Sequence, residues 1–369
     1  MAGWMVAPTG NADLQVGRPK ERRVARMQAG REVPLRRAIL PGTLPRGRFL
    51  EGCTAAAESA KVGAGFGLTP RVARSPAGRK ADEVMQVPFR SDLKGKVAVV
   101  TGGGGVLCSA MAKALAECGA AVAVADLRLD AADKVAQEIV AAGGRAVAVG
   151  CNVLERPSLD AANAEVERKL GPVDILLNGA GGNHPKGTTS MEVLNPDDLL
   201  KENRDLVTFY DLDPQGIQFV FNLNFLGTLL PSQAFTRKMA LRRKGTVINI
   251  SSMNAFRPLT KIPAYSGAKA AVSNLTQWMA VHMAKAGIRV NAIAPGFFLA
   301  DQNRALLTRP DGSLTPRGQT IIGHTPMGRF GEPQDLLGAL LWLVSDSAAG
   351  FVTGVVVPVD GGFAAFSGV

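Results

Sequence analysis

The sequence predicts an α/β protein built on a doubly wound parallel sheet that is sandwiched between helices. Three observations predict this fold. Short β-branched runs alternate with helical stretches from Lys96 onward, these runs are apolar throughout, and a glycine cluster follows the first of them. Strands without alternating polar residues are buried on both faces, which is typical of parallel sheets. Right-handed crossovers between such strands place helices on both sides of the sheet.

The candidate strands are short apolar runs, and helices are expected between them. The runs cover residues 96–100, 121–125, 146–149, 173–177, 246–250, 288–293 and 355–359. Two polar segments, residues 181–213 and 296–331, are longer than ordinary connections between elements. Both follow strands at the end where open sheets bind ligands, so we expect them to carry functional residues.

The positive charge of the chain is concentrated at its N-terminal end. The 369 residues carry a net charge of +11; residues 1–84 hold 15 Lys/Arg and 7 Asp/Glu, whereas residues 85–369 hold 27 and 24. Because the first segment also lacks helix or strand periodicity, we expect a disordered basic extension over 1–84 and a single domain over 85–369. A basic tail can bind nucleic acid or act as a transit peptide. We favour an extension without function and expect no nucleic-acid partner.

The cysteine, histidine and hydropathy patterns exclude several other classes of site. The four cysteines show no CxxC spacing and there are only three histidines, so we expect neither a metal site nor a disulfide framework. No apolar run is long enough to span a bilayer or to act as a secretory signal. We therefore expect no membrane association, and the cytoplasm is the default location.

The glycine cluster after the first strand predicts a dinucleotide site. Thr101 is followed by four glycines and then by a helical stretch. Glycines allow the backbone to approach a pyrophosphate, which the N-terminus of the following helix stabilises. Asp126 ends the second strand, 25 residues after Thr101, where a carboxylate binds ribose hydroxyls and repels a 2′-phosphate. NAD is therefore favoured, and NADP stays open because Arg128 offers a charge that offsets this repulsion.

Tyr265, Lys269 and Ser252 form the candidate centre for proton transfer. Tyr265 and Lys269 are four residues apart and share one face of a predicted helix. A phenol has a pKa of about 10, and lowering it by about three units takes roughly 4 kcal/mol, which one charge about 4 Å away supplies. Lys269 and an oxidised nicotinamide together can supply this charge. Ser252 ends a strand 13 residues before Tyr265, where its hydroxyl can reach the substrate oxygen.

With these motifs, residues 90–369 resemble the short-chain dehydrogenase/reductase family, which has a Rossmann-like fold. The elements that carry the resemblance are Thr101-Gly102, Asp126, Asn178 to Gly181, Asn224, Ser252, Tyr265, Lys269, residues 291–296 and Asp360 to Gly362. The resemblance implies that Tyr265 is the acid/base and that Ser252 binds the substrate oxygen. It also implies that Lys269 lowers the pKa of Tyr265 and binds the nicotinamide ribose, and that Asn224 supports a proton relay to Lys269.

The resemblance also implies which residues lie beside the cofactor. These are Thr101, Gly102, Gly104, Gly105, Asp126, Asn152, Asn178, Ala180, Gly181, Tyr265, Lys269, Pro295 and Gly296. Asn152 occupies the family position that contacts adenine, and Pro295-Gly296 resembles the turn that lines the nicotinamide pocket.

The chain departs from the family pattern in its glycine-rich loop and after its fourth strand. Val106 and Cys108 stand where the family has the last two glycines of the loop. Gly179 replaces the second asparagine of the family's Asn-Asn-Ala-Gly segment. None of these changes removes a group needed for hydride transfer.

The substrate is expected to be a sugar acid. Candidate contacts are Asn183, His184, Asn254, Arg257 and Asn303. Amides suit hydroxyls and a cation suits a carboxylate. Residues 181–185, 224–231 and 253–260 also resemble the D-mannonate oxidoreductase (fructuronate reductase) branch of the family, which implies reduction of D-fructuronate to D-mannonate with NADH.

Two alternatives to this function remain open. In the first alternative, the protein acts on another sugar acid or polyol. In the second, it is a dinucleotide-binding sensor without turnover. The resemblance also implies a homo-oligomer, either a tetramer or a dimer. The apolar ending around Phe363 and Phe366 fits a subunit contact or a core role within one subunit.

Overall fold

The computed structural model describes residues 89–200, 205–299, 304 and 306–368. The expected basic extension, its boundary at residue 85 and Asn303 lie outside these described residues.

A parallel sheet of seven strands forms the centre of the described structure. The strands are β1 (Val97–Thr101), β2 (Ala121–Asp126), β3 (Arg145–Gly150), β4 (Ile175–Asn178), β5 (Gly245–Ile250), β6 (Ile288–Pro295) and β7 (Val356–Val359). Their order is β3-β2-β1-β4-β5-β6-β7, and all adjacent pairs are parallel. The doubly wound fold is thus confirmed, and each predicted strand end is within two residues of the observed one.

Helices cover both faces of this sheet. They are α1 (Val106–Glu117), α2 (Leu129–Ala141), α3 (Arg156–Lys169), α4 (Pro214–Phe221), α5 (Gly227–Arg242), α6 (Pro263–Met283), α7 (Pro316–Gly323), α8 (Leu337–Val344) and α9 (Asp346–Ala349). On one face, Ala98 and Val100 pack with α1, α2 and α8; on the other, Val97 and Val99 pack with α3, α5 and α6. Successive strand residues point to opposite faces, so an entirely apolar strand contributes to both cores.

The long polar segments follow β4 and β6, as predicted. The first contains 3-10 turns at Pro185–Gly187, Pro196–Leu200 and Phe209–Asp211. The second contains α7. Because the strands are parallel, both segments begin at the same edge of the sheet.

A buried polar network joins the sheet to the two long helices. Asn178 in β4 donates through Nδ2 to Ser232 Oγ in α5 and to Asn249 Oδ1 in β5, both at 2.9 Å. Asn249 in turn donates through Nδ2 to Thr276 Oγ1 in α6 at 2.9 Å. All four side chains are buried. Removing a hydrogen-bond partner from a buried polar group costs free energy, so these bonds fix the positions of α5 and α6 on the sheet.

We expect Asn249→Ala to lower the free energy of unfolding by about 2 kcal/mol or more, because it removes one buried hydrogen bond each from Asn178 and Thr276 and leaves a cavity in the core. Urea denaturation measures this loss. The control is Gln137→Ala, which removes an exposed hydrogen bond to Asp133 and should cost less than about 0.5 kcal/mol. Equal losses in the two variants would contradict the role given to the network.

Candidate active site

The carboxyl ends of β1 and β4 form the crevice at which the winding of the sheet reverses. Two glycines let the backbone come close to its neighbours there. A Cβ atom added at Gly102, whose φ is +63°, would lie 3.0 Å from Cα of Ala180. A Cβ added at Gly181 would lie 2.7 Å from Asn224 Oδ1 and 3.2 Å from Lys269 Nζ. This spacing therefore requires a residue without a side chain at both positions.

Asp126 ends β2, and its carboxylate organises the glycine-rich turn after β1. Its Oδ2 accepts from the N–H of Gly104 and its Oδ1 from the N–H of Arg128, both at 3.0 Å. A Cβ added at Gly104 would lie 2.7 Å from Cβ of Ala131 in α2, so this glycine is also required for packing. Gly105 is the N-cap residue of α1. The unpaired amides at the start of α1 thus lie directly after this turn.

Three other predicted cofactor residues hold the turns that follow β1, β3 and β4. Thr101 Oγ1 accepts from the N–H of Gly179 at 3.1 Å and of Ala180 at 3.4 Å. The side chain of Asn152 accepts from the backbone two residues later, at 3.1 Å. Asn178 belongs to the buried network described above. These residues order the rim of the crevice through contacts within the protein.

Pro295 and Gly296 end β6 beside the end of β7. The N–H of Gly296 donates to the carbonyl of Val359 at 2.9 Å. A Cβ added at Gly296 would lie 2.6 Å from both Cα and Cβ of Asp360. The predicted Pro-Gly turn is therefore pressed against the start of the C-terminal segment.

Ser252, Tyr265 and Lys269 lie together at the end of β5 and in the first turns of α6. Ser252 is the N-cap residue of the 3-10 turn Met253–Ala255, and its side chain lies near enough to Tyr265 to lower the pKa of the phenol. Lys269 Nζ lies 5.6 Å from the centroid of the Tyr265 ring. It donates to the carbonyl of Ile250 at 2.8 Å. The helical spacing read from the sequence thus brings the phenol and the ammonium to one side of α6.

Burial dominates the acid–base properties of this group. Burial raises the pKa of Tyr265 to about 12, and the side chain of Ser252 partly opposes this rise. Burial also lowers the pKa of Lys269 to about 8, because an ammonium loses hydration in the interior. Lys269 alone therefore does not give the lowered tyrosine pKa that oxidation needs. The tyrosine of the protein by itself is a protonated phenol at neutral pH.

Asn224 lies in a π-helical segment, Asn222–Leu226, between α4 and α5. Its Nδ2 donates to the carbonyls of Val220 at 2.8 Å and Gly182 at 2.7 Å, and its Oδ1 accepts from the N–H of Gly182 at 3.3 Å. Such single π turns occur often at functional sites. No periodicity of the sequence predicts this segment, although Pro231 inside α5 signals a disturbed helix.

The predicted substrate residues in the β4 loop form a small turn. Asn183 Nδ2 donates to Thr188 Oγ1 at 3.0 Å. His184 Nδ1 accepts from the N–H of Lys186 at 3.2 Å, and its ring centroid lies 4.9 Å from that of Phe219. Since Nδ1 accepts, the ring proton of the neutral imidazole is on Nε2.

The predicted substrate residues after Ser252 meet the C-terminal segment. Asn254 is buried, and its Oδ1 has no hydrogen-bond partner within the described residues. Arg257 donates through Nε to the carbonyl of Ala364 at 3.1 Å. Phe363 packs edge to face on Phe297 with ring centroids 5.3 Å apart. The apolar ending of the chain therefore packs within its own subunit beside Arg257, a contact that no sequence pattern predicts.

The described residues contain no group of three or more His, Cys, Asp or Glu side chains that could hold a metal ion. Among the helices in the same ranges, none is both long enough and apolar enough to cross a membrane.

Comparison with known proteins identifies the family. The profile of the short chain dehydrogenase family matches residues 96–310, which is more than half of the chain and includes Ser252, Tyr265 and Lys269. The chain belongs to the short-chain dehydrogenase family.

Relatives within this family are similar over most of their length. A crystal structure from Haemophilus influenzae, with bound NAD and the provisional name D-mannonate oxidoreductase, is 54% identical, covers 76% of this chain and 98% of its own, and has a TM-score of 0.72. An uncharacterized oxidoreductase of that organism is 54% identical over 77% of this chain and 99% of its own. An uncharacterized oxidoreductase of Bacillus subtilis, UxuB, is 51% identical over 77% of this chain and 100% of its own.

The crevice of this short-chain dehydrogenase has the features that a dinucleotide requires. The backbone at Gly102 and Gly181 is too close to its neighbours for a side chain, the N-terminus of α1 follows the glycine-rich turn, and Asp126 stands at the adjoining strand end. Free amides at a helix N-terminus bind phosphate, and a carboxylate at that strand end binds ribose hydroxyls.

We expect the buried ammonium to make stability depend on pH. Lys269 has a pKa of about 8 in the folded protein against the ordinary 10.5, so the unfolded chain binds more protons between these values. Relative to Lys269→Met, the free energy of unfolding of the wild type should therefore rise from pH 8 to pH 10.5, by on the order of 3 kcal/mol.

Urea denaturation at several pH values measures this dependence. Lys244→Met, which removes a charge at an exposed position, is the control. Curves that run parallel for the wild type and Lys269→Met would contradict the expectation.

Proposed function

We propose that the protein is an NAD-dependent oxidoreductase that interconverts D-fructuronate and D-mannonate. The observation that carries the proposal is the arrangement of a phenol beside Ser252, one helical turn from a buried lysine whose Nζ lies 5.6 Å from the centroid of the phenol ring. The similarity to a protein with bound NAD and the provisional name D-mannonate oxidoreductase supports the choice of cofactor and substrate.

Tyr265 acts as the acid in the reducing direction. When bound in the crevice, NADH would supply the hydride for the keto carbon. Ser252 donates a hydrogen bond to the keto oxygen, and Tyr265 transfers its proton to the same oxygen as the alcohol forms. A pKa of about 12 keeps the phenol protonated at neutral pH, which is the form that this step requires.

Lys269 and Asn224 return the proton to Tyr265. The pKa of Lys269, about 8, lies near the working pH, so its ammonium can release a proton to the tyrosinate and regain one from solvent. Both Asn224 Oδ1 and Lys269 Nζ lie within about a hydrogen bond's length of the space beside Gly181. This shared space is the place where a relay between them can run.

Asp126 favours NAD over NADP. Two backbone amides hold its carboxylate in place at the end of β2. A 2′-phosphate on the adenosine ribose would therefore be repelled by this negative charge. The exposed side chain of Arg128 is a feature that favours NADP.

Arg257 and Asn254 are the proposed contacts for a polyhydroxy acid. The bond from Arg257 to Ala364 uses Nε, and a guanidinium has four further N–H groups that can bind a carboxylate. Asn254 follows Ser252 by two residues and has an acceptor oxygen without a partner in the described part of the chain. His184 and Asn183 lie in the loop after β4, and Asn303 follows β6.

The exposed apolar side chains of α5 and α6 support a homo-oligomer. Leu241, Trp278 and Val281 are 79%, 56% and 82% exposed, respectively. Large apolar groups so exposed on long helices are typical of subunit interfaces. Both a dimer and a tetramer fit this observation.

We expect Tyr265→Phe to reduce kcat with D-fructuronate by about a thousandfold, because the phenylalanine ring cannot transfer a proton. Its Kd for NADH should stay close to that of the wild type. The loss of NADH absorbance measures turnover with D-fructuronate and with a panel of other keto sugar acids and polyols, and titration calorimetry measures NADH binding.

The control is Tyr210→Phe, which changes the other tyrosine of the chain, an exposed residue, and should leave both constants unchanged. A higher kcat/KM with another member of the panel would overturn the substrate and keep the mechanism. NADH binding without turnover of any member would favour the sensor.

We expect Asp126→Ser to weaken discrimination between the cofactors. Removing the charge should raise KM for NADH and lower KM for NADPH, which shifts the ratio of kcat/KM values by about tenfold or more, because one charge interaction is worth more than 1 kcal/mol at this range. Steady-state kinetics with both cofactors measures the ratio. An unchanged ratio would show that another group selects the cofactor.

A further inference from the structure

Two of the departures from the family pattern meet in space. Cys108 is the third residue of α1 and is buried, with 6% of its surface exposed. A Cβ atom added at Gly179 would lie 2.2 Å from Sγ of Cys108, far inside the contact distance of about 3.5–4 Å between such atoms. It would also lie 2.8 Å from the carbonyl oxygen of Thr101. The thiol thus occupies the space that a side chain at position 179 would need.

Residues 179–182 bring the backbone close to the side chains of Asn224 and Lys269. The first two amides of this segment donate to Thr101 Oγ1. Its last residue, Gly182, exchanges hydrogen bonds with the amide of Asn224. Between these ends, Gly181 leaves less than a methyl group's space to Asn224 and Lys269. A side chain at position 179 would therefore disturb a segment that also lies beside Asn224 and Lys269.

We propose that Cys108 and Gly179 form a reciprocal pair. In this pair the thiol is a positioning residue that sets the backbone path of residues 179–182, and this backbone forms part of the surface that binds the dinucleotide. Burial raises the pKa of Cys108 to about 12, so the thiol is neutral. It acts through its volume rather than as a nucleophile or a charge. The family pattern has glycine at position 108 and asparagine at position 179. In that pattern the side chain at position 179 fills the space that Cys108 fills here.

A double-mutant cycle tests the pair through NADH binding. Overpacking by Gly179→Ala should raise the Kd for NADH by about tenfold or more. Cys108→Ala removes only Sγ and keeps a good helix former in α1. In that background, Gly179→Ala should cost about fivefold less in NADH affinity, because the contact with the Thr101 carbonyl is then the remaining obstacle. Cys108→Ser, which nearly keeps the volume, should bind NADH as the wild type does.

Two variants control for general loss of stability. Gly144→Ala also adds a crowded Cβ, 2.8 Å from Cγ2 of Ile139, in the turn after α2. Cys118→Ala removes another buried thiol, at the far end of α1. Both should lower Tm without changing the Kd for NADH.

The outcomes separate the proposal from its alternatives. Rescue of NADH affinity by the second substitution supports the pair, since a loss of affinity that did not arise from the contact with Cys108 Sγ would not be repaired by removing that atom. Additive losses, or a Gly179→Ala variant that is less stable but binds NADH normally, would overturn it. If Gly179→Ala does not fold, recovery of folded protein in the double variant supports the pair, and failure of both overturns it. The titration needs no sugar acid, so a wrong substrate would leave this test intact.

Discussion

Lys269 is an ammonium in the interior of the protein, 4% exposed, and its hydrogen bond goes to the main-chain carbonyl of Ile250. Burying a positive charge costs free energy unless neighbouring groups replace its hydration. The end of β5 supplies the carbonyl. The lowered pKa of Lys269 shows that the protein replaces only part of the hydration that the ammonium loses. The site depends on this arrangement, because a lysine in water would have neither the position nor the proton affinity that a relay requires.

The fold holds this arrangement with groups well away from the crevice. Asn249 ties β5 to α6 through Thr276 and to β4 through Asn178. These bonds join the strand that carries Ser252 to the helix that carries Tyr265. The two reacting side chains belong to different elements, so their separation is only as constant as the contact between those elements.

The sequence predicts the parts of the structure that depend on local pattern. The strands are continuous apolar runs, and Tyr265 and Lys269 meet because residues four apart share a helix face. The other features depend on distances between elements remote in sequence. Asn222–Leu226 is helical in either geometry, so no periodicity distinguishes a π turn from an α turn. The contact of Arg257 with Ala364 joins residues 107 positions apart. The meeting of Cys108 with Gly179 likewise depends on how α1 sits against β4.

The crowding between Cys108 and Gly179 also restricts the order in which these positions can change. Starting from this chain, a side chain at position 179 meets the thiol, whereas loss of the thiol first leaves only a small void. Overpacking and a small void differ in their cost in free energy. The two orders of substitution therefore pass through intermediates of different stability. The less costly path from this sequence to the one with asparagine therefore begins at residue 108, and the return path begins at residue 179. Both directions pass through the same intermediate, which has neither the thiol nor a side chain at position 179.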